Sequence, residues 1–156
     1  VVLPDGHQPV TTLTAMLRAG TQLALVHIGD TRAYLLRGGE MSQLTQDHTY
    51  VQSLVDQGGL GRDEAAVHPQ RSLLVRALGT GALPVEADLA LRTALPGDRY
   101  LLCSDGLSAV VDRDTLHNAL GTPAEPQAVV RRLIELAYEH GAPDNIACVV
   151  ADVVAA

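Results

Sequence analysis

The chain has 156 residues, 47% of them hydrophobic and 19% charged, which suits one soluble globular domain at about 150 residues each and excludes disordered or collagen-like classes. Phe and Trp are absent and four Tyr are the only aromatics, so the core must be aliphatic and a base-stacking surface is not expected. The formal net charge is −7 and all 11 basic residues are Arg, with Arg131-Arg132 the only adjacent pair, which argues against nucleic acid as a partner. An acidic surface that handled phosphate would first need a cation to neutralise its carboxylates.

The chain opens on Leu3-Pro4-Asp5-Gly6-His7-Gln8-Pro9, which is turn chemistry. Runs at 11–17, 22–28 and 31–36, separated by Ala19-Gly20 and Gly29-Asp30, have the spacing of an antiparallel meander. Both faces of 22–28 are apolar, which places that strand mid-sheet. Gly38-Gly39 reads as a hairpin turn returning through Met41. Beyond Asp47 the period changes to helical, with Val51, Leu54 and Val55 on one face, Asp47 as the expected cap and Gly58-Gly59 as the stop. The glycine-rich stretch 58–81, with a short helix over 62–67, reads as a mobile surface excursion.

Strand alternation resumes over 85–92, and 99–103 is an apolar strand that stops at Ser104-Asp105-Gly106. Asp112 caps one helix and Pro126 opens a longer one ending near Gly141, with Val129, Val130, Leu133, Ile134, Leu136 and Ala137 as its apolar stripe. The nearly all-apolar 146–154 predicts a buried final strand. Strands and helices fall in groups, so the expected fold is α+β, with helices on antiparallel sheets. Cys103 and Cys148 lie far apart in sequence, each in an apolar run, and form neither a thiol-redox motif nor a zinc knuckle. They read as small hydrophobes and suit a reducing, cytoplasmic setting. No apolar run approaches the roughly 20 residues that span a bilayer, and no leader pattern opens the chain.

Three aspartates stand at strand ends: Asp30 after Gly29, Asp105 before Gly106 and Asp144 before Asn145. Gathered on one rim, they would repel one another without a cation, and carboxylates alone suit magnesium or manganese better than zinc. Each also sits in a turn dipeptide, where Asp is common for backbone reasons. Position does not separate the two readings. The remaining candidates read as structural: His27 as a core histidine, His7, His117 and His140 as solvated, His48 as a helix-cap or flap residue, and Arg71 and Arg76 as solvated or phosphate-facing.

Five segments in order resemble the metal-dependent, type 2C serine/threonine phosphatases in their bacterial form. Gly29-Asp30-Thr31-Arg32 is similar to their Gly-Asp-Ser-Arg motif, and Leu44-Thr45-Gln46-Asp47-His48 to the Leu-Thr-x-Asp-His after it. His68-Pro69 through Arg76-Ala77-Leu78-Gly79 resembles the segment closing the flap, here about 47–81. Ser104-Asp105-Gly106-Leu107 resembles the Ser-Asp-Gly-Leu metal motif, and Pro143-Asp144-Asn145 the terminal Asp-Asn motif. The resemblance implies an antiparallel β-sandwich flanked by helices, with Asp105 and Asp144 as ligands of a Mn2+ or Mg2+ pair and Asp30, with Asp105, holding a further ion. It also implies metal-activated water attacking phosphoserine or phosphothreonine on proteins, the products of serine/threonine kinases.

The family places a phosphate-clamping Arg, an Asp-Gly-x-Gly-Gly motif and a His upstream of the Thr-Thr strand, and none is found here. Val10 stands where Gly usually precedes Thr-Thr. The expectation is therefore a partial phosphatase domain over 1–156, N-terminally incomplete and weak or inactive alone, with an exposed sheet edge that favours self-association. A non-catalytic, phosphatase-like interaction module is the alternative.

Overall fold

Among the residues described by the computed structural model, 9–79 and 85–155, the apolar runs become short strands on either side of a helical middle. The turn predicted at 3–8, with His7, and residues 80–81 at the end of the expected flap lie outside this range. The strands are β1 (Val10–Thr11), β2 (Leu13–Ala19), β3 (Gln22–Ile28), β4 (Arg32–Arg37), β5 (Glu40–Gln43), β6 (Leu78–Gly79), β7 (Asp88–Thr93), β8 (Arg99–Cys103) and β9 (Cys148–Asp152). The helices are α1 (Tyr50–Asp56), α2 (Arg62–Ala66), α3 (Asp105–Ser108), α4 (Arg113–Gly121) and α5 (Pro126–Glu139). None is long and apolar enough to cross a membrane.

β4 and β5 form the hairpin that Gly38-Gly39 predicts, with Arg37 opposite Glu40. β8 pairs antiparallel with β4, and β9 with β8, giving a four-stranded sheet ordered β5-β4-β8-β9. A three-stranded sheet is ordered β2-β3-β7, and β1 pairs with β6. β3 is central, as its two apolar faces require. The predicted meander nevertheless divides after β3, because β4 belongs to the other sheet. At the break, Gly29 has φ +108° and a Cβ there would overlap the Thr12 side chain, so only glycine turns the chain at this point.

The described residues group into two compact units, 9–17, 24–31, 46–79 and 85–91 in one, and 18–23, 32–45 and 92–155 in the other. In the second unit, Tyr34, Leu101 and Cys103 of the sheet share a core with Leu107, Leu116, Leu120, Val129, Leu133 and Ala137. The aliphatic core inferred from composition is realised there. Asp112 caps α4 as predicted, accepting from the backbone N–H groups of Asp114 and Thr115 at 3.0 Å. In the first unit the cap of α1 is Thr49, not Asp47, with its side chain accepting from Gln52 N–H. Thr49 also bridges to Leu74, and that pairing settles where the helix starts.

Two other expectations change. Residues 85–87 are not strand, and on β7 Leu89 and Leu91 are 77% and 78% exposed. The last strand is not buried throughout: Val150 is enclosed, whereas Val149 is 60% exposed, since among the described residues β9 is paired only with β8 and one of its faces lies open.

Ion pairs tie the sheet of the second unit to its loops. Asp98, 1% exposed, receives both Arg37 Nε and Nη2 at 2.7 Å, the Leu95 N–H at 2.8 Å and the Tyr100 hydroxyl at 3.1 Å. The Arg37 guanidinium, chiefly, holds the Asp98 carboxyl below its ordinary range. Arg99 forks onto Asp152 across the β8–β9 pair and also donates to the carbonyls of Leu120, Thr122 and Ala124, fastening the α4–α5 connection to the sheet. Because half of the Arg37–Asp98 pair reaches solvent, Asp98→Ala is expected to cost about 2 kcal/mol, below the range for a fully enclosed pair. Urea unfolding at neutral pH measures it.

Candidate metal centre

β8 delivers Asp105 to the first turn of α3, and α5 delivers Asp144 to the loop before β9. α5 ends in a Schellman motif, with Ala142 N–H bonded to Ala137 O and Gly141 N–H to Tyr138 O, both at 3.0 Å, and Gly141 at φ +94°. This closes the helix and turns the chain into Pro143-Asp144-Asn145. Ala142 follows at φ 37°, a left-handed conformation that costs a non-glycine residue energy.

The two loops touch through backbone. A Cβ on Gly106 would overlap the Asn145 carbonyl oxygen and stand 2.9 Å from its carbon. Ser104 N–H donates to Ala147 O at 2.9 Å. The Ser104 hydroxyl donates to Asn145 O at 3.3 Å and accepts from Ala147 N–H at 3.0 Å. Asp105, half-buried, and Asp144, exposed, are thus carried on adjoining loops. The Asn145 N–H donates to Asp144 Oδ1 at 2.7 Å, which sets that carboxylate against its own loop.

Asp30 belongs to the first unit, half-buried directly after Gly29. His48 holds Gly29 from both sides: its N–H donates to Gly29 O at 2.7 Å, and its Nδ1 accepts the Gly29 N–H at 3.1 Å. With Nδ1 an acceptor, the proton sits on Nε2 and is donated to Asp88 Oδ2 at 3.1 Å. Arg76 Nη1 donates to Asp88 Oδ1 at 3.2 Å.

His27 is 1% exposed, as expected of a core histidine. Its Nε2 donates to Gln46 O at 2.9 Å, and Thr14 Oγ1 lies 2.9 Å from Nδ1. The His27 and His48 ring centroids are 4.8 Å apart. Burial first, then the neighbouring His48, pushes the His27 pKa below its ordinary 6.5. The ring is therefore neutral at pH 7 and Nδ1 accepts the Thr14 hydroxyl proton, with Thr31 Oγ1 at 2.7 Å from Thr14 completing the chain.

Among the described residues no group of three or more His, Cys, Asp or Glu is assembled in metal-holding fashion. The donors on the adjoining loops are carboxylates, with no imidazole or thiol beside them in the motifs, so they fit part of an oxygen ligand set for a hard divalent ion. Several groups that build the region were not picked out in the sequence. Ser104 and Gly106 lie inside a recognised motif, but nothing in the sequence shows what packs on them. The Asp88 partner of His48 lies 40 residues away. Arg76 is engaged by Asp88, and His117, expected to be solvated, bonds Gly39 O at 2.7 Å.

The comparisons with known proteins agree with this architecture. No family model matches the chain. It is 56% identical over 151 residues to the serine/threonine protein phosphatase PstP of Mycobacterium tuberculosis, covering 97% of this chain and 29% of that protein. It is 35% identical over 136 residues to the serine/threonine phosphatase stp of Listeria monocytogenes, covering 87% and 54%. The crystal structure of the M. tuberculosis phosphatase PstP/Ppp aligns at TM-score 0.91 and 54% identity, over 98% of this chain and 64% of that one. A structure of the PstP catalytic domain in complex with two manganese ions aligns at TM-score 0.83 and 51% identity, over 94% and 60%. Over nearly all of its own length the chain is thus similar to part of serine/threonine protein phosphatases, among them one from Streptococcus pyogenes named 2C-type, to which it is 37% identical over 136 residues, 87% of this chain and 55% of that protein. The chain spans about a third to a half of the curated relatives' length.

Two outcomes follow from the packing. Gly106→Ala forces the two loops apart and is expected to cost about 1–3 kcal/mol, as overpacking does, read as a lowered urea midpoint. Because the His27 pKa is depressed in the folded state, the unfolded chain binds the extra proton first as pH falls below about 6.5, and native stability drops from there down to the folded pKa. Urea unfolding from about pH 8 to about pH 5 should show this fall, and His27→Gln should flatten it.

Proposed function

We propose that the protein containing this chain hydrolyses phosphoserine and phosphothreonine on proteins with Mn2+ or Mg2+, and that Asp105 and Asp144 supply ligands to its metal pair. The observation that carries this reading is the backbone contact of Gly106 with Asn145, which brings two carboxylate-bearing loops together. Asp30 is proposed as a ligand of a further ion, its turn fixed by the two Gly29–His48 bonds. Divalent ions at such a centre supply Lewis acidity toward a phosphoryl group and its attacking water.

The chain's own residues bind and orient. Asp105 and Asp144 contribute anionic oxygens, Ser104 holds their loops in register, and Asn145 N–H sets the Asp144 carboxylate. Residues 47–81 act as the flap. The substrates are products of serine/threonine kinases, and the setting is cytoplasmic signalling. Support comes from the names of the relatives and from the manganese complex of the PstP catalytic domain. The chain alone is proposed to be weakly active or inactive, because the upstream Asp-Gly-x-Gly-Gly motif of the family is not in it. Exposed Val149 on β9 and Leu89 and Leu91 on β7 support self-association of the isolated chain.

Calorimetric titration with Mn2+ tests the ligand assignment. Asp105→Asn and Asp144→Asn should each weaken binding by at least about tenfold, with melting unchanged. Binding that is indifferent to both substitutions overturns it. Brisk Mn2+-dependent hydrolysis of p-nitrophenyl phosphate by these 156 residues would overturn the proposal that the chain alone is weak.

A further inference from the structure

Cys103 ends β8 and Cys148 begins β9, and the strand register sets them directly opposite each other. Sequence distance had hidden this pairing. One step further along, Ser104 N–H donates to Ala147 O at 2.9 Å, so Ser104 and Ala147 occupy a hydrogen-bonded position and the cysteines a non-hydrogen-bonded one. At such positions facing Cα atoms stand about 4.5 Å apart and side chains come closest. That separation falls within the roughly 4.4–6.8 Å that disulfides bridge.

Both thiols lie on the same face. Cys103 is 4% exposed within the core cluster, and Cys148, half-buried, packs against that same cluster. Both cysteines are free thiols.

We propose that Cys103 and Cys148 are a redox modification site that closes reversibly into a disulfide across β8 and β9 when the protein meets a hydroperoxide. Cys148 is the less buried thiol and reacts first. Its sulfur attacks the peroxide O–O bond, becoming a sulfenic acid while the other oxygen leaves as water or alcohol with the thiol proton. The Cys103 sulfur then attacks the sulfenic sulfur, the S–S bond forms, and the hydroxyl departs as water with the Cys103 proton. Two electrons pass from the thiols to the peroxide, and a dithiol reductant returns them. Burial makes the first step slow, and proximity favours the second over further oxidation. The link forms immediately before Ser104 and immediately after Ala147, at the root of the loops that carry Asp105 and Asp144. Its chemistry does not depend on the phosphatase reading, so the two stand or fall separately.

The test treats the protein with hydrogen peroxide, blocks remaining thiols by alkylation and measures intact mass and peptide maps without reduction. The expected product has lost two hydrogens, takes up no alkylating agent, contains one Cys103–Cys148 peptide and reverts with dithiothreitol. Cys148→Ser should abolish it. Two thiols that stay alkylatable, oxygen addition without a link, or a link only between molecules would overturn the proposal.

Discussion

The contact of Gly106 with the Asn145 backbone is the constraint that holds the two acidic loops of the second unit together. A side chain of any size at position 106 would separate the loop after β8 from the loop before β9. Ser104 then completes what the glycine allows, using one hydroxyl and one N–H to bond both Asn145 and Ala147. The two acidic loops are thereby held by backbone and by a short side chain rather than by long, flexible ones. That limits the conformational entropy lost in placing their carboxylates.

The same economy recurs around Gly29. Its positive φ and the Thr12 side chain pressed against it leave room for no Cβ, and His48 bonds both its N–H and its carbonyl. His27 and His48 are buried polar groups whose ring nitrogens are satisfied by Gln46, Thr14, Gly29 and Asp88. Such networks specify one local geometry when every member is paired. In an acidic chain the buried carboxylate of Asp98 is treated differently, being neutralised by the forked Arg37 and assisted by Leu95 and Tyr100.

Much of this was legible in the sequence because it is local. Gly38-Gly39 encodes a hairpin, Asp112 encodes a cap, Pro126 and the stripe from Val129 to Ala137 encode a helix, and the double apolar face of 22–28 encodes a central strand. What escaped is non-local. Whether Thr49 or Asp47 caps α1 is decided by pairing with Leu74, and the division of the meander after β3 is decided by which sheet receives β4. The run at 146–154 is apolar except for Asp152, yet on the edge strand β9 Val150 is enclosed while Val149 is exposed. For the candidate site, motif words single out Asp30, Asp105 and Asp144 as expected ligands, whereas the contacts that hold two of them on adjoining loops, through Ser104 and Gly106, depend on a register that no short segment carries.

The most direct measurement is paramagnetic broadening of backbone amide signals by substoichiometric Mn2+. If the Gly106–Asn145 contact presents Asp105 and Asp144 to one ion, the amides of 104–107 and 143–147 broaden together at the same metal concentration. Broadening of one loop without the other, or of neither, would contradict the account.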